Sequence, residues 1–323
     1  MNGPLLQDQT IDSTAWSGAA PDLSVAVPFF RYDPSPLIER LEAMARPLGG
    51  AVELIFLEDG GGVPELIAPA ADRVARLEAP AKLVALAHNL GRAQGRNRLF
   101  AEARARHVLF LDCDMAPDRD DFLKIWLDLA TQDVPPVAVG GFSLIQIRPT
   151  AATRLHYALQ ARGECAPVEV RARQPEKYVF TSNLLVRRDV FLAEPFDSRF
   201  AGWGWEDVEW GARISRTFGI VHIDNTATHL GLDDAPALLR KYAQSGENFA
   251  RMVACHADIV RTYPSYRVAR ALSPLPFKTL GAALCRQIAL SPAPLMVRIL
   301  ASKFYRAFLY ATALTSNGEE ILY

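Results

Sequence analysis

Four short apolar runs set the architecture: Leu23–Phe29 (LSVAVPF), Val52–Leu57 (VELIFL), Lys82–Ala87 (KLVALA) and Val108–Leu111 (VLFL). None sustains an apolar–polar alternation, so each predicts a strand buried on both faces. Between them lie stretches with helical spacing: Pro36–Arg46, a segment ending before Pro80, and the loop-and-helix HNLGRAQGRNRLFAEARARH. Buried strands alternating with helices predict an α/β fold with a mainly parallel sheet and right-handed crossovers. Ligands of such sheets bind beyond the carboxyl ends of the strands. The segments to read are therefore Phe29–Asp33, Glu58–Asp59, Asn89–Gly91 and Asp112–Asp114.

A helix after Asp121 leads to Val137–Ile147, which has strand character. Arg162–Lys177 is polar and proline-containing and predicts a mobile loop. The run FAGWGWEDVEWGARI, residues 200–214, predicts a helix start with Glu206 and Asp207 in its first turn, where the helix dipole favours acids. Glu209 and Arg213 have the spacing of an i,i+4 ion pair, and Trp210 recurs with Ile214 as a core position. A helix start does not account for the Gly-Trp-Gly that precedes it. Ile220–Ile223 and a short stretch ending at His229 close the body. Beyond Asp234 the chain predicts helices at Pro236–Arg261, Phe277–Leu290 and Leu295–Ala313.

Charge is uneven. The net charge is −1, yet residues 259–318 hold eight bases and no acid, leaving −7 on residues 1–258. A basic, apolar tail suits an anionic membrane surface, or docking on an acidic body. No apolar run reaches the roughly 18–20 residues of a membrane span, and the first residues lack a secretory signal pattern. The four scattered cysteines, Cys113, Cys165, Cys255 and Cys285, read as reduced thiols. The expected setting is cytoplasmic, as a soluble or peripheral protein at the inner face of the plasma membrane. No nucleic acid partner is expected, and an oligomer is compatible with the sequence.

Asp112-Cys113-Asp114 is the sharpest chemical signal. Two carboxylates flanking one residue at a strand end can divide their work between a ribose hydroxyl and a divalent cation. Mg²⁺ and Mn²⁺ are commonly held by one or two carboxylates plus substrate phosphates. A bare triplet of this kind is more often a pair of solvated turn acids; its place after a buried strand is what gives it weight. His229, in TATHLG, is a candidate further ligand. His222 competes, but it lies inside the apolar-alternating run IVHID and is expected to face the sheet.

LSVAVPFFRYD, VELIFLEDGGG, HNLGRAQGRN and VLFLDCDM, in that order, resemble the donor half of family 2 glycosyltransferases with the GT-A fold. NLLVRRDVF and FDSRFAGWGWEDVEWGARI resemble the acceptor half, in the galactosyltransferase-like and chondroitin-polymerase-like branch. The resemblance covers about residues 22–232, with a donor half at 22–120 and an acceptor half at 121–232. Residues 1–21 would be an N-terminal extension and 233–323 a helical, basic C-terminal region.

The resemblance implies roles. Pro28, Phe29 and Arg31 would line the base pocket, and Glu58 or Asp59 would hold base or ribose. Asn89, Gly91, Arg96 and Asn97 would shape the donor pocket. Asp112 would contact the ribose, and Asp114 and His229 would hold Mn²⁺ or Mg²⁺. Asp207 would be the general base of an inverting transfer, since retaining relatives tend to carry Asn there. Glu206 would bind acceptor hydroxyls, and Trp203 or Trp205 would floor an acceptor sugar. Trp205 departs from a position often filled by Gly. The implied partners are a nucleotide-sugar donor, UDP-linked, and a glycan or lipid-linked acceptor in surface polysaccharide or lipopolysaccharide assembly. Competing readings are a nucleotidyltransferase, disfavoured because PFFRYDPSP is no Gly-rich basic loop, and a non-catalytic nucleotide- or glycan-binding module.

Overall fold

Strands form where the apolar runs lie, in a computed structural model that describes residues 7–316. The outermost parts of the expected N-terminal extension and C-terminal region, residues 1–6 and 317–323, lie outside the described residues. The first strands are β1 (Gln9–Asp12), β2 (Leu23–Phe29), β3 (Val52–Glu58), β4 (Ala81–Ala85) and β5 (His107–Leu111). They are followed by β6 (Met115–Pro117), β7 (Val137–Val139), β8 (Phe142–Ser143), β9 (Asn183–Arg187), β10 (Ile220–His222) and β11 (Ala227–His229). The large sheet runs β1-β4-β3-β2-β5-β9-β7-β10, and a small sheet runs β6-β11-β8. β4, β3, β2 and β5 are mutually parallel, as the buried runs predict. Two strands run antiparallel to their neighbours: β1, from the stretch read as an extension, adds an edge beside β4, and β9 is inserted between β5 and β7.

Helices between the strands are α1 (Ser35–Ala45), α2 (Pro64–Ala75), α3 (Arg92–Glu102), α4 (Phe122–Asp128), α5 (Arg154–Gly163) and α6 (Val168–Arg171). Next come α7 (Arg188–Ala193), α8 (Glu206–Ile214), α9 (Ala235–Cys255), α10 (Ala257–Val260), α11 (Pro264–Leu272), α12 (Lys278–Leu290) and α13 (Leu295–Ser316). Period-2 geometry explains why the central runs are apolar throughout. Val25, Val27, Leu54, Phe56 and Leu109 face a core closed by Ile38, Leu41 and Trp126. Their strand neighbours Ala26, Ile55, Leu57, Val108 and Phe110 face a second core closed by Leu99, Phe191 and Trp210.

Two expectations need correction. Val137–Ile147 is not one strand: it breaks at Gly140-Gly141 and sends β7 to the large sheet and β8 to the small one. A Cβ on Gly140 would lie 2.3 Å from Asn183 Nδ2, and Gly141 has φ +75°, so both positions need glycine. Arg162–Lys177 is not a free loop either. It contains α6, whose Arg171 is buried and donates to the carbonyls of Ala166, Val139, Gly140 and Ile223 at 2.9–3.2 Å. Arg162, Glu169, Arg173 and Gln174 of the segment are exposed as their polarity predicts, whereas Arg171 staples it across two strand ends.

The C-terminal helices dock on the body. Leu238, Leu239 and Tyr242 of α9 join Ile299 and Tyr305 of α13 and Leu155 of α5 in a third core. Phe249, Met252 and Tyr310 form a fourth with Phe200 and Ala212. Phe200 and Ala212 of the run 200–214 are therefore packed against the C-terminal helices, while Ala201 and Gly202 stay exposed.

Candidate active site

The turns after β2, β3, β4 and β5 converge at one sheet edge. Asp59 organises that edge: its carboxylate accepts from Leu90 N at 2.8 Å, Gly91 N at 3.0 Å and Asn89 Nδ2 at 3.1 Å. Both oxygens are thus spent on the loop that opens α3. Burial raises its carboxyl pKa against the pull of those N–H groups. Glu58 is buried too; Oε1 accepts from Gly61 N at 2.6 Å, while Oε2 has no partner among the described residues. Burial likewise raises its pKa. Arg31, in a left-handed conformation at φ +50°, donates to Gly61 O at 3.3 Å and so lies over Glu58. Pro28 is half-buried at the end of β2, whereas the Phe29 ring is buried in the first core and Phe30 is the exposed aromatic of the pair.

Strand register brings the two candidate cation ligands together across 115 residues. β11 pairs antiparallel with β6, placing His229 opposite Met115, one residue past Asp114. His229 Nε2 lies 3.2 Å from Asp114 Oδ2, and its Nδ1 lies 3.0 Å from the Gln160 amide. Burial alone would lower the His229 pKa, but the Asp114 hydrogen bond and charge overcome it and the ring sits above its usual value. Asp114 is correspondingly lowered despite burial. Gly231 closes over the carboxylate, since a Cβ there would lie 2.1 Å from Oδ2. The small sheet is fixed by Asp118, which accepts from Ser143, Thr226, Thr228 and Gln146 at 2.6–2.7 Å. His222 is elsewhere, between Arg171 and Pro175 O, and burial followed by the Arg171 charge lowers it to about 4.

A second charged cluster joins the donor and acceptor segments. Arg96 is buried on α3 and donates to Asp112 Oδ1 at 2.7 Å. Its Nη1 also lies 3.9 Å from Glu206 Oε1, and Arg92 approaches the same oxygen at 3.6 Å. Glu206 is therefore buried and ion-paired. Asp207, beside it in the first turn of α8, accepts from Val208 N at 2.8 Å. Burial, and then the charge of Glu206, push the Asp207 carboxyl up to about 7. A carboxylate poised near neutrality can accept a proton from a hydroxyl, and the arginines keep its ionised form accessible.

The remaining expected residues serve mainly as clamps. Asn97 spends its whole amide on the backbone of Phe196, at 2.9 and 3.1 Å, tying α3 to the acceptor segment. Trp205 has φ +77°, the conformation that makes glycine the easier choice at this position. It is held there by its indole N–H, which donates to Tyr310 Oη at 2.9 Å, and by the Phe249 ring. Trp203 rests against Tyr242, 5.8 Å between rings. Both tryptophans thus lean on α9 and α13, and Asn248 of α9 stitches the backbone of Ala201 and Gly204. Glu209 pairs with Arg213 at 3.0 Å and also meets His256, and Trp210 is fully buried. Sequence reasoning missed Arg92, Gln160, Gly231 and Asp118. Arg92 had a signal in its i,i+4 spacing from Arg96; the other three gain their roles only through long-range packing.

No group of three or more His, Cys, Asp or Glu positioned to hold a metal occurs among the described residues. Asp114 and His229 are a two-ligand N/O set, which fits a cation that takes its remaining ligands from donor phosphates and water.

Comparison with known proteins bears on the family and the fold. The pattern described as "Glycosyl transferase family 2" matches residues 24–192, just over half of the chain. Among curated proteins nothing matches. The fold resembles a mannosyltransferase of Pyrobaculum calidifontis, solved with GDP-Man and Mn²⁺, at 14% identity and TM-score 0.53, covering 95% of this chain and 89% of that one. It also resembles S. aureus TarS 1–349, solved with UDP-GlcNAc, at 12% identity and TM-score 0.50, covering 93% and 92%. A mainly parallel sheet with acid-bearing turns at its carboxyl edge, a matching pattern over residues 24–192 and a shared GT-A architecture lead to one conclusion: the chain belongs to glycosyl transferase family 2 and is a glycosyltransferase that moves sugar from a nucleotide sugar.

Proposed function

We propose that the chain is a metal-dependent, inverting transferase of the galactosyltransferase-like branch. Its donor is a UDP-linked hexose or N-acetylhexosamine, and its acceptor a glycan or lipid-linked glycan of surface polysaccharide or lipopolysaccharide assembly. The observation that carries the reading is Asp207, a single carboxyl poised at about 7. It is linked through Glu206, Arg96 and Asp112 to the turn that bears Asp114. One base and one displacement invert the anomeric centre. Asp207 takes the proton of the acceptor hydroxyl as that oxygen attacks, and Arg92 and Arg96 stabilise the ionised cluster before the transfer. Asp112 and Glu58 face the nucleoside, Glu58 through its unpaired oxygen. Asp114 and His229 would hold Mn²⁺ or Mg²⁺, which when bound supplies Lewis-acid stabilisation of the leaving diphosphate. The setting we infer is the cytoplasmic face of the plasma membrane; no helix among the described residues is long and apolar enough to cross it.

The test is metal-dependent turnover of UDP-sugars by wild type and Asp114→Ala. Loss of the Mn²⁺-stimulated turnover with the fold retained supports the assignment; unchanged turnover overturns it. Calorimetry with UDP, with and without Mn²⁺, separates an enzyme from a binding module, which would bind without turnover on any acceptor.

A further inference from the structure

The C-terminal helices use only part of their surface to dock on the body. α13 packs along α9, α11, α12 and α5, yet Met296, Val297, Leu300 and Phe304 remain exposed at helical spacing along it. Leu300 is 56% exposed and Met296 59%. On α12 and its N-cap, Phe277, Leu280 and Leu284 are more exposed still, at 61–74%. Two grooves flank the α13 ridge. One, of about 320 Å³, runs between α11 and α13 over Val268, Leu300 and Phe304, with Lys303 and Arg306 in its wall. The other, of about 360 Å³, is walled by Arg162, Met296 and Lys303.

Charge selects the occupant. Residues 264–316 carry seven bases and no acid, and Arg267, Arg270 and Lys303 are exposed. Bulky apolar side chains projecting among bases, on helices that do not span, match the requirement for lying in a lipid–water interface. A soluble acidic protein would need an apolar patch of its own to cover these exposed Leu, Met and Phe, whereas a bilayer supplies anionic headgroups and an apolar interior together.

The geometry points to the exposed face of α11, α12 and α13 as a docking surface for a bilayer carrying anionic phospholipid headgroups. Apolar side chains enter the headgroup region, and Arg267, Arg270 and Lys303 meet lipid phosphates. The inference rests on the peripheral setting proposed above and adds the surface responsible. Because Trp205 and Trp203 rest on α13 and α9, docking there would hold the acceptor end of the cleft at a fixed distance from the lipid.

Flotation of the full chain with phosphatidylglycerol-containing vesicles, against pure phosphatidylcholine vesicles, tests it directly. Binding to the anionic vesicles is expected to exceed neutral binding at least tenfold and to weaken with salt. Leu300→Glu with Phe304→Glu, and separately Arg267→Glu with Lys303→Glu, should each lower bound protein about tenfold. UDP-sugar hydrolysis without vesicles should stay at the wild-type level in both. Equal flotation with neutral vesicles, or charge-reversed protein that floats like wild type, overturns the assignment. So does wild-type self-association that the apolar double variant abolishes while flotation persists. Flotation as expected from a protein that turns over no UDP-sugar would refute the donor proposed above and leave this inference standing.

Discussion

Asp207→Asn removes a charge that the fold accepts at a cost, so catalysis and stability should move in opposite directions. Burial and the neighbouring Glu206 carboxylate raise the Asp207 carboxyl to about 7, against about 3.9 in an unfolded chain. Roughly 3 pKa units correspond to at most ~4 kcal/mol. Asp207 keeps partial contact with solvent, which screens the charge and brings the working figure to about 2 kcal/mol. Its pKa is raised in the fold, so the contribution is fully present below pH ~4 and is lost as pH rises to ~7. Asparagine does not titrate. The stability of Asp207→Asn minus that of wild type should therefore grow by ~1–2 kcal/mol between about pH 5 and pH 8. Urea unfolding of both proteins at the two pH values reads this difference, and histidine titrations common to both cancel. UDP binding should persist while transfer falls by at least about 100-fold, the usual scale of a lost general base. A stability difference independent of pH would refute the burial argument, and retained transfer would remove Asp207 as base.

Gly231→Ala should push the Asp114 carboxylate aside and lower Mn²⁺-dependent turnover about 10–100-fold with little change in circular dichroism; wild-type metal affinity would contradict the close packing. Asp59→Ala leaves Leu90 N and Gly91 N unpaired, costing about 1–3 kcal/mol. Steady-state kinetics should show a raised donor KM with a smaller effect on kcat. Arg171→Met removes the donor shared by four carbonyls and should destabilise by ~3–5 kcal/mol in urea unfolding. A mobile segment would tolerate the change within about 0.5 kcal/mol.

Much of the donor half was legible because its signals are local. Each apolar run became a strand within a residue or two, and Glu206 and Asp207 open a helix as their spacing with Glu209 and Arg213 predicts. Arg162–Lys177 was misread because polarity normally reports solvent, and Arg171 is polar for the opposite reason: buried carbonyls at two strand ends need a donor. The strand at Gln9–Asp12 was missed because an antiparallel edge strand of four mixed residues has almost no pattern of its own.

The amino-acid sequence alone determined the mainly parallel α/β plan and the acids that follow its strands. Strand burial and helix periodicity are properties of contiguous residues, and a fold of this kind places strand ends in one crevice. Only tertiary structure decided which acids are free to act. The β6–β11 register set His229 against Asp114, Arg96 neutralised Asp112 and Glu206, and the loop at Asn89–Gly91 claimed Asp59. Packing of α9 and α13 likewise decided that Trp203 and Trp205 lean on helices beyond the body. These are contacts between residues some 16 to 115 positions apart, and no local pattern encodes them.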